Sequence, residues 1–408
     1  MAEKAEPEIS GSFYSTNKVS LGELAVFFLR LGSTAFGGPA GHIAMMEDEL
    51  VRRRKWLSRE EFLDLLGASN LIPGPSSSEL AIHIGYLRGG WPGLLVAGIC
   101  FIVPAACMVA ALAWAYMHFG KLPAASGILY GIKPVVIAVI LQALSGLGRT
   151  AIKSRLLAIV GLLSGALAAL GLQPLVLLVI AGASVALADQ VILTLGTGRV
   201  SAFAPLVPWS PVARSTRSLT TATTGAFAAI APFSLGSLFL VFLKIGAVVF
   251  GSGYVLLAFL RADLVVQRGW LTDSQLVDAI AIGQVTPGPV FTTATFIGFL
   301  LHGVPGAVIA TIGIFLPAFL FIAVSGPILP RVRECRIAGA FLDGVIVASL
   351  ALMAVVTWQL ARASITDAKT ALFAAGSLFL LLRFRPNSAW LVLLGALAGL
   401  VVHSLHQH

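Results

Sequence analysis

The chain has 408 residues, of which 58% are hydrophobic and only 11% charged, with a formal net charge of +9 and a mean hydropathy of +0.94. Soluble domains carry about 25% charged residues, so a water-soluble globular fold is excluded. No basic stripe is interleaved with aromatics as a nucleic-acid groove requires, and the excess of Lys and Arg fits the basic cytoplasmic loops of a polytopic membrane protein.

The N-terminal tail, residues 1–20, carries Glu3, Glu6 and Glu8 and no apolar core, so it is not a secretory signal. A first span is expected over Leu21–Met46, with a break foreseen at Phe36-Gly37-Gly38-Pro39. A basic loop (Arg52, Arg53, Arg54, Lys55, Arg59) leads into an amphipathic run, Arg59–Arg88, broken at Pro73-Gly74-Pro75. Apolar stretches then follow at Gly93–Met117, Ile128–Leu147, Leu156–Leu170 and Leu175–Leu195, most of them near the ~20 residues that cross a bilayer. A polar linker, 196–218, ends the first repeat (21–195) and precedes the second (219–408). Cys100, Cys107 and Cys335 have no metal-ligand or CxxC spacing, and His42 and His83 are lone, so neither metal nor cofactor is expected.

The second repeat copies the first at an offset of 214. Leu21-Gly22 falls on Leu235-Gly236, Arg30 on Lys244, Phe36-Gly37 on Phe250-Gly251, Trp56-Leu57 on Trp270-Leu271, Asp64 on Asp278 and Pro73-Gly74-Pro75 on Pro287-Gly288-Pro289. One deletion shifts the offset to 213, aligning Ile84-Gly85 with Ile297-Gly298 and Pro104 with Pro317. Basic residues swap between equivalent loops: the first half's Arg52–Arg59 cluster faces only Arg261 and Arg268, whereas Lys121 faces Arg331, Arg333 and Arg336. Such swapping predicts opposed halves under the positive-inside rule. The expected fold is an all-α polytopic membrane protein with two homologous halves in inverted topology. It has about ten transmembrane helices and two broken re-entrant helical hairpins, and lies in the bacterial inner membrane.

A Pro-Gly-Pro inside apolar sequence ends one helix and opens another, whose first N–H groups and dipole favour an anion. Pro73, Gly74, Pro75, Ser76 and Ser77 form one such break; Pro287, Gly288, Pro289, Thr292 and Thr293 form the other, with the hydroxyls as added donors. The competing reading is a tight turn whose hydroxyls bond backbone. Asn70 and Gln284 precede the breaks at equivalent positions, and Arg30 and Lys244 are intramembrane cations that could balance a dianion or snorkel. Gly37, Gly38, Gly251 and Gly253 permit close backbone approach. Glu79, one turn beyond Pro75, is the candidate for proton coupling, against a simple helix-dipole role. Asp64 and Asp278 are read as structural, and Lys133 as snorkelling.

Phe36-Gly37-Gly38-Pro39, Trp56-Leu57, the Asn70–Pro75 segment, Phe250–Gly253 and the Gln284–Pro289 segment together resemble the chromate ion transporter family, in its long two-domain form. The resemblance covers both halves. It implies export of chromate, a tetrahedral dianion like sulfate, and hence chromate resistance; with no nucleotide-binding motif in the sequence, the expected mode is a secondary transporter working by antiport. The partners expected are that oxyanion and membrane lipid, with a homodimer as the assembly and no nucleic acid. The alternatives are a sulfate or other anion importer, a passive channel and a non-transporting scaffold. An enzyme is not expected: Walker-type, GxSxG and HExxH motifs are missing from the sequence.

Overall fold

A computed structural model describes residues 19–36, 38–69, 71–120, 122–197, 233–250, 253, 255–325, 335–384 and 388–404. Gly37, Asn70, Gly251, the tail before residue 19 and nearly all of the linker lie outside these. Secondary structure among the described residues is helical throughout. The first half contributes α1 (Leu21–Thr34), α2 (Gly38–Met46), α3 (Arg59–Ser69), α4 (Ser76–Phe119), α5 (Pro123–Ala151), α6 (Arg155–Ala169) and α7 (Pro174–Thr197). The second contributes α8 (Leu235–Val248), α9 (Leu256–Leu260), α10 (Asp273–Val285), α11 (Thr293–Ser325), α12 (Arg336–Ser364), α13 (Ala368–Phe384) and α14 (Ser388–Ser404).

The duplication extends to local geometry. A π-helical turn at Glu47–Arg53 recurs at Arg261–Gln267. The left-handed residue that follows is Lys55 (φ 52°) in one half and Gly269 (φ 60°) in the other. A capping box starts α3, where the Glu61 N–H donates to Ser58 Oγ and the Ser58 N–H donates back to the carboxylate. Thr272 and Gln275 start α10 in the same way. Both long helices bend at a glycine in the same conformation, Gly90 (φ 62°, ψ −151°) and Gly303 (φ 59°, ψ −149°).

Five helices (α4, α5, α7, α11 and α12) are long and apolar enough to cross a membrane, and α6, α8 and α14 are shorter apolar helices. The first span is not one helix: it ends at Thr34, Ala35 is extended, and α2 restarts at Gly38. At 1.5 Å per residue α3 rises only about 16 Å, and the part of α4 before Gly90 about 21 Å, both short of the ~30 Å hydrocarbon core. These lengths suit a hairpin that enters and returns.

The helices gather into two bundles. In the first, α1 packs on α4, α8 on α11, and α4 crosses α11 between the halves. Gly32 meets the Phe101 backbone and Gly246 meets the Ile314 backbone, with no space for a Cβ at either contact. In the second bundle α5 packs on α13 and α14, while α12 packs on α6 and α7, so each half's long helix is held by the other half. Glycines set these crossings as well, Gly131 against Gly395 and Gly344 against Gly182. A valine at Gly131 is expected to cost about 2 kcal/mol or more, because the opposing atoms are backbone. Thermal unfolding of the detergent-solubilised G131V protein checks this.

The α5 and α12 helices run antiparallel and are tied near both ends. Lys153, just after α5, donates to Asp343 near the start of α12 at 2.8 Å. Tyr130, near the start of α5, donates to Asp367, just after α12, at 2.6 Å. The Thr370 backbone N–H holds the Asp367 carboxyl down at about 2, with help from the Tyr130 hydroxyl. The acceptor is therefore ionised at neutral pH, and the contact weakens only as pH falls towards that value.

Candidate anion-binding site

Each Pro-Gly-Pro break docks on the opposite half. The Gly74 N–H donates to the Val249 carbonyl at 2.7 Å, and the Gly288 N–H to the Ala35 carbonyl at 2.9 Å. Val249 and Ala35 are the C-caps of α8 and α1, so each break supplies a donor to a helix end in the other half. Both glycines hold positive φ, 143° and 94°. The prolines on either side fix φ and leave the glycine N–H as the break's donor.

Buried His42 of α2 reaches the same junction. Its Nε2 lies 3.2 Å from the Ala35 carbonyl and so carries the proton. In the neutral ring Nδ1 then accepts from the Ser77 hydroxyl, 3.3 Å away. Thr292 and Thr293 donate their hydroxyl protons to the carbonyls of Pro289 and Val290, at 2.7 and 2.8 Å. These three hydroxyls thus present lone pairs rather than protons, as the tight-turn reading foresaw for the threonines. Buried donors of another kind remain: Ser78 Oγ and Gln284 Nε2 have no partner among the described residues, and neither has the fully buried Glu79 carboxylate. Gly253 packs against Val290 and Phe291 at the start of the second half's returning helix, and Gly38 sits at φ 67° where α2 begins.

The two expected cations lie elsewhere. Arg30 is exposed on α1 in a surface hollow shared with Asp48, Glu49 and Arg53. Lys244 forms an ion pair with buried Asp263. Neither lines the cavity that reaches Ser76. That cavity, about 650 Å³, lies between the two bundles. Pro39, Ile43 and Ser76 wall it on one side, α5 and α12 supply Gln142, Thr150, Ser349 and Leu350, and Lys153 and Asp343 stand at its rim. Phe250 and Val255 bring the second half's glycine segment to the same space. Pro287 instead lines a separate apolar hollow with Phe36 and Trp390.

The hairpins are not equivalent. Asp278 of α10 is buried, with Lys133 Nζ of α5 at 3.1 Å and the Tyr116 hydroxyl donating to it at 3.0 Å. Lys133 also donates to Ser274 at 2.7 Å, and α10 packs on α5, α12 and α14. Its counterpart α3 packs chiefly on α4 and the π turn of its own half, and Asp64 is exposed. The residue equivalent to Lys133 is Ile346, which lines the open cavity. Lys133 was expected to snorkel; the structure gives it a buried partner on the opposite half.

The family model for chromate transporters matches residues 22–187 and again 236–400. The chain belongs to the chromate transporter family. A chromate transport protein of Cupriavidus metallidurans is 33% identical over 402 residues, covering 98% of this chain and 97% of that one. A chromate transport protein of Pseudomonas aeruginosa is 33% identical over 395 residues, 94% and 93% of the two chains. A probable chromate transport protein of Synechococcus elongatus is 31% identical over 394 residues, 94% and 96% of the two. No solved structure matches. The two matched regions are the two homologous halves, and with the apolar helices they make this chromate transporter family member a multi-pass inner-membrane protein.

Sequence reasoning missed Ser349, Gln142 and the rim pair Lys153–Asp343. Ser349 has no counterpart to flag it, since the equivalent position is Val136.

Proposed function

We propose that this chain is a secondary carrier that exports chromate, or a tetrahedral dianion of similar size, by alternating access around the paired breaks. The observation that carries the reading is the unequal state of the two hairpins: α10 is locked onto the second bundle, while on the α3 side a cavity stands open beside Ser76. The antiparallel pairing of repeat-equivalent helices α5 and α12 supports an inverted repeat. With opposed halves, exchanging which hairpin is docked would close this cavity and open its counterpart on the other face. The positive-inside threading puts Lys153 and the cavity mouth on the cytoplasmic side, where an exporter must load.

Chemistry favours efflux. An interior-negative potential acts on each unit charge with about 2.3 kcal/mol per 100 mV, so a dianion is driven outward by about twice that. The oxyanion would shed part of its hydration to the start of α4, where Ser76 stands at the cavity wall. Glu79 lies on the same turn as Ser76 and carries the proton-coupling role: when ionised it repels the dianion, so its protonation state gates binding.

The test is chromate uptake into everted vesicles under an imposed interior-positive potential, with sulfate as competitor. Uptake that collapses when a potassium ionophore removes the potential is the expected result; uptake indifferent to potential would leave a non-electrogenic exchanger. Current along the gradient without saturation would indicate a channel. E79Q is expected to flatten the pH dependence of that uptake, and an unchanged pH profile would remove Glu79 from coupling.

A further inference from the structure

We infer that Ser349, at the centre of α12, is a substrate-binding residue that the second half contributes to the cavity facing the start of α4, and that its ligand is a tetrahedral oxyanion. The inference rests on the transport reading above and names a binding residue within it.

A serine inside an apolar helix ordinarily returns its hydroxyl proton to the carbonyl four residues back. Several hydroxyls in this protein do so: Thr357 donates to Met353 at 2.6 Å, Thr311 to Ala307 at 2.7 Å and Ser33 to Leu29 at 2.8 Å. Ser349 does not. It is only 1% exposed, its Oγ has no partner among the described residues, and it lines the 650 Å³ cavity. Leaving a buried hydroxyl unpaired is costly, and an unpaired donor at a cavity wall is what an anion can satisfy.

The rest of the lining agrees. Gln142 of α5 offers an amide, Ser76 marks the start of α4, and Lys153 stands at the rim. Asp343, an acid in the lining, is paired with Lys153 at 2.8 Å and so adds no free negative charge. Ile43, Phe250, Val255, Ile346 and Leu350 make the remaining wall apolar, which favours an ion able to trade water for a few fixed donors. At about 30 Å³ per water the space holds on the order of 20 waters, so the anion would enter hydrated and meet Ser349 before reaching the break. In the first half the equivalent residue is Val136, buried in the apolar core, so this donor serves one face of the carrier only.

Chromate uptake by everted vesicles carrying wild type, S349A and S349T tests the assignment. A hydrogen bond to a charged group corresponds to roughly a tenfold effect or more, so S349A is expected to raise KM about tenfold with kcat within about twofold. S349T, which keeps a hydroxyl, should restore KM. An unchanged KM in S349A beside an active wild type would overturn the proposal. No flux in wild type would instead overturn the transport reading. If S349A fails to reach the membrane, S349C decides, made in a chain with Cys100, Cys107 and Cys335 replaced by serine. Labelling by an anionic thiol reagent should be slowed by molybdate, a tetrahedral dianion that does not oxidise thiols. Failure to label, or labelling indifferent to molybdate, would overturn it.

Discussion

K133A is expected to release the second hairpin and shift the carrier towards its opposite-facing state. Removing Lys133 leaves Asp278 buried with only the Tyr116 hydroxyl to stabilise its charge. Breaking a buried pair from one side costs on the order of 3 kcal/mol, close to a hundredfold in a two-state population. That cost falls only on the state in which α10 is docked, because the counterpart of Lys133 on α12 is an isoleucine. Cysteine accessibility should report the shift: a thiol placed at Asp64, exposed here, should become protected in K133A. The double variant K133A/D278N removes both charges and should return the equilibrium most of the way. Protein that unfolds without any change in accessibility would make the pair a stabilising contact alone.

G288A is expected to abolish transport and to damage it more than G74A. Both positions have positive φ, which costs an alanine roughly 1–2 kcal/mol. Their surroundings differ. A Cβ on residue 288 would stand 2.6 Å from the Ala105 Cβ and 2.7 Å from the Gly32 carbonyl oxygen, both on well-packed helices. A Cβ on residue 74 meets chiefly the end of the Glu79 side chain, which can turn away. Overpacking adds about 1–3 kcal/mol at the first position and little at the second. The strain at residue 288 also pulls its N–H from Ala35, the carbonyl that His42 shares. Equal losses of vesicle uptake and of thermal stability in the two variants would contradict this account.

Much of the architecture is legible in the sequence because it is written twice. The offset of 214 aligns the two Pro-Gly-Pro breaks with each other and pairs Asp64 with Asp278 from residue order alone. What such an alignment hides is the difference between members of a pair. Asp64 and Asp278 look alike in sequence, yet one is exposed and the other bound to Lys133, because the hairpins stand in different positions. The same limit applies to the site. Position in the sequence marked Ser77, Thr292 and Thr293 as donors, but a hydroxyl's proton goes to the nearest acceptor, here His42 and two carbonyls. Ser349 had the opposite fate: an unremarkable serine in an apolar run was brought to the cavity wall, without a hydroxyl partner among the described residues, by the crossing of helices far apart in the chain.

The exchanged packing of α5 with α13 and α14, and of α12 with α6 and α7, bears on how the protein is made. A ribosome that has delivered only the first half leaves α5 and the pair α6–α7 in lipid without their final neighbours. Membrane proteases would therefore clear the first half made alone, whereas two fragments divided within the linker and synthesised together should find each other and regain activity.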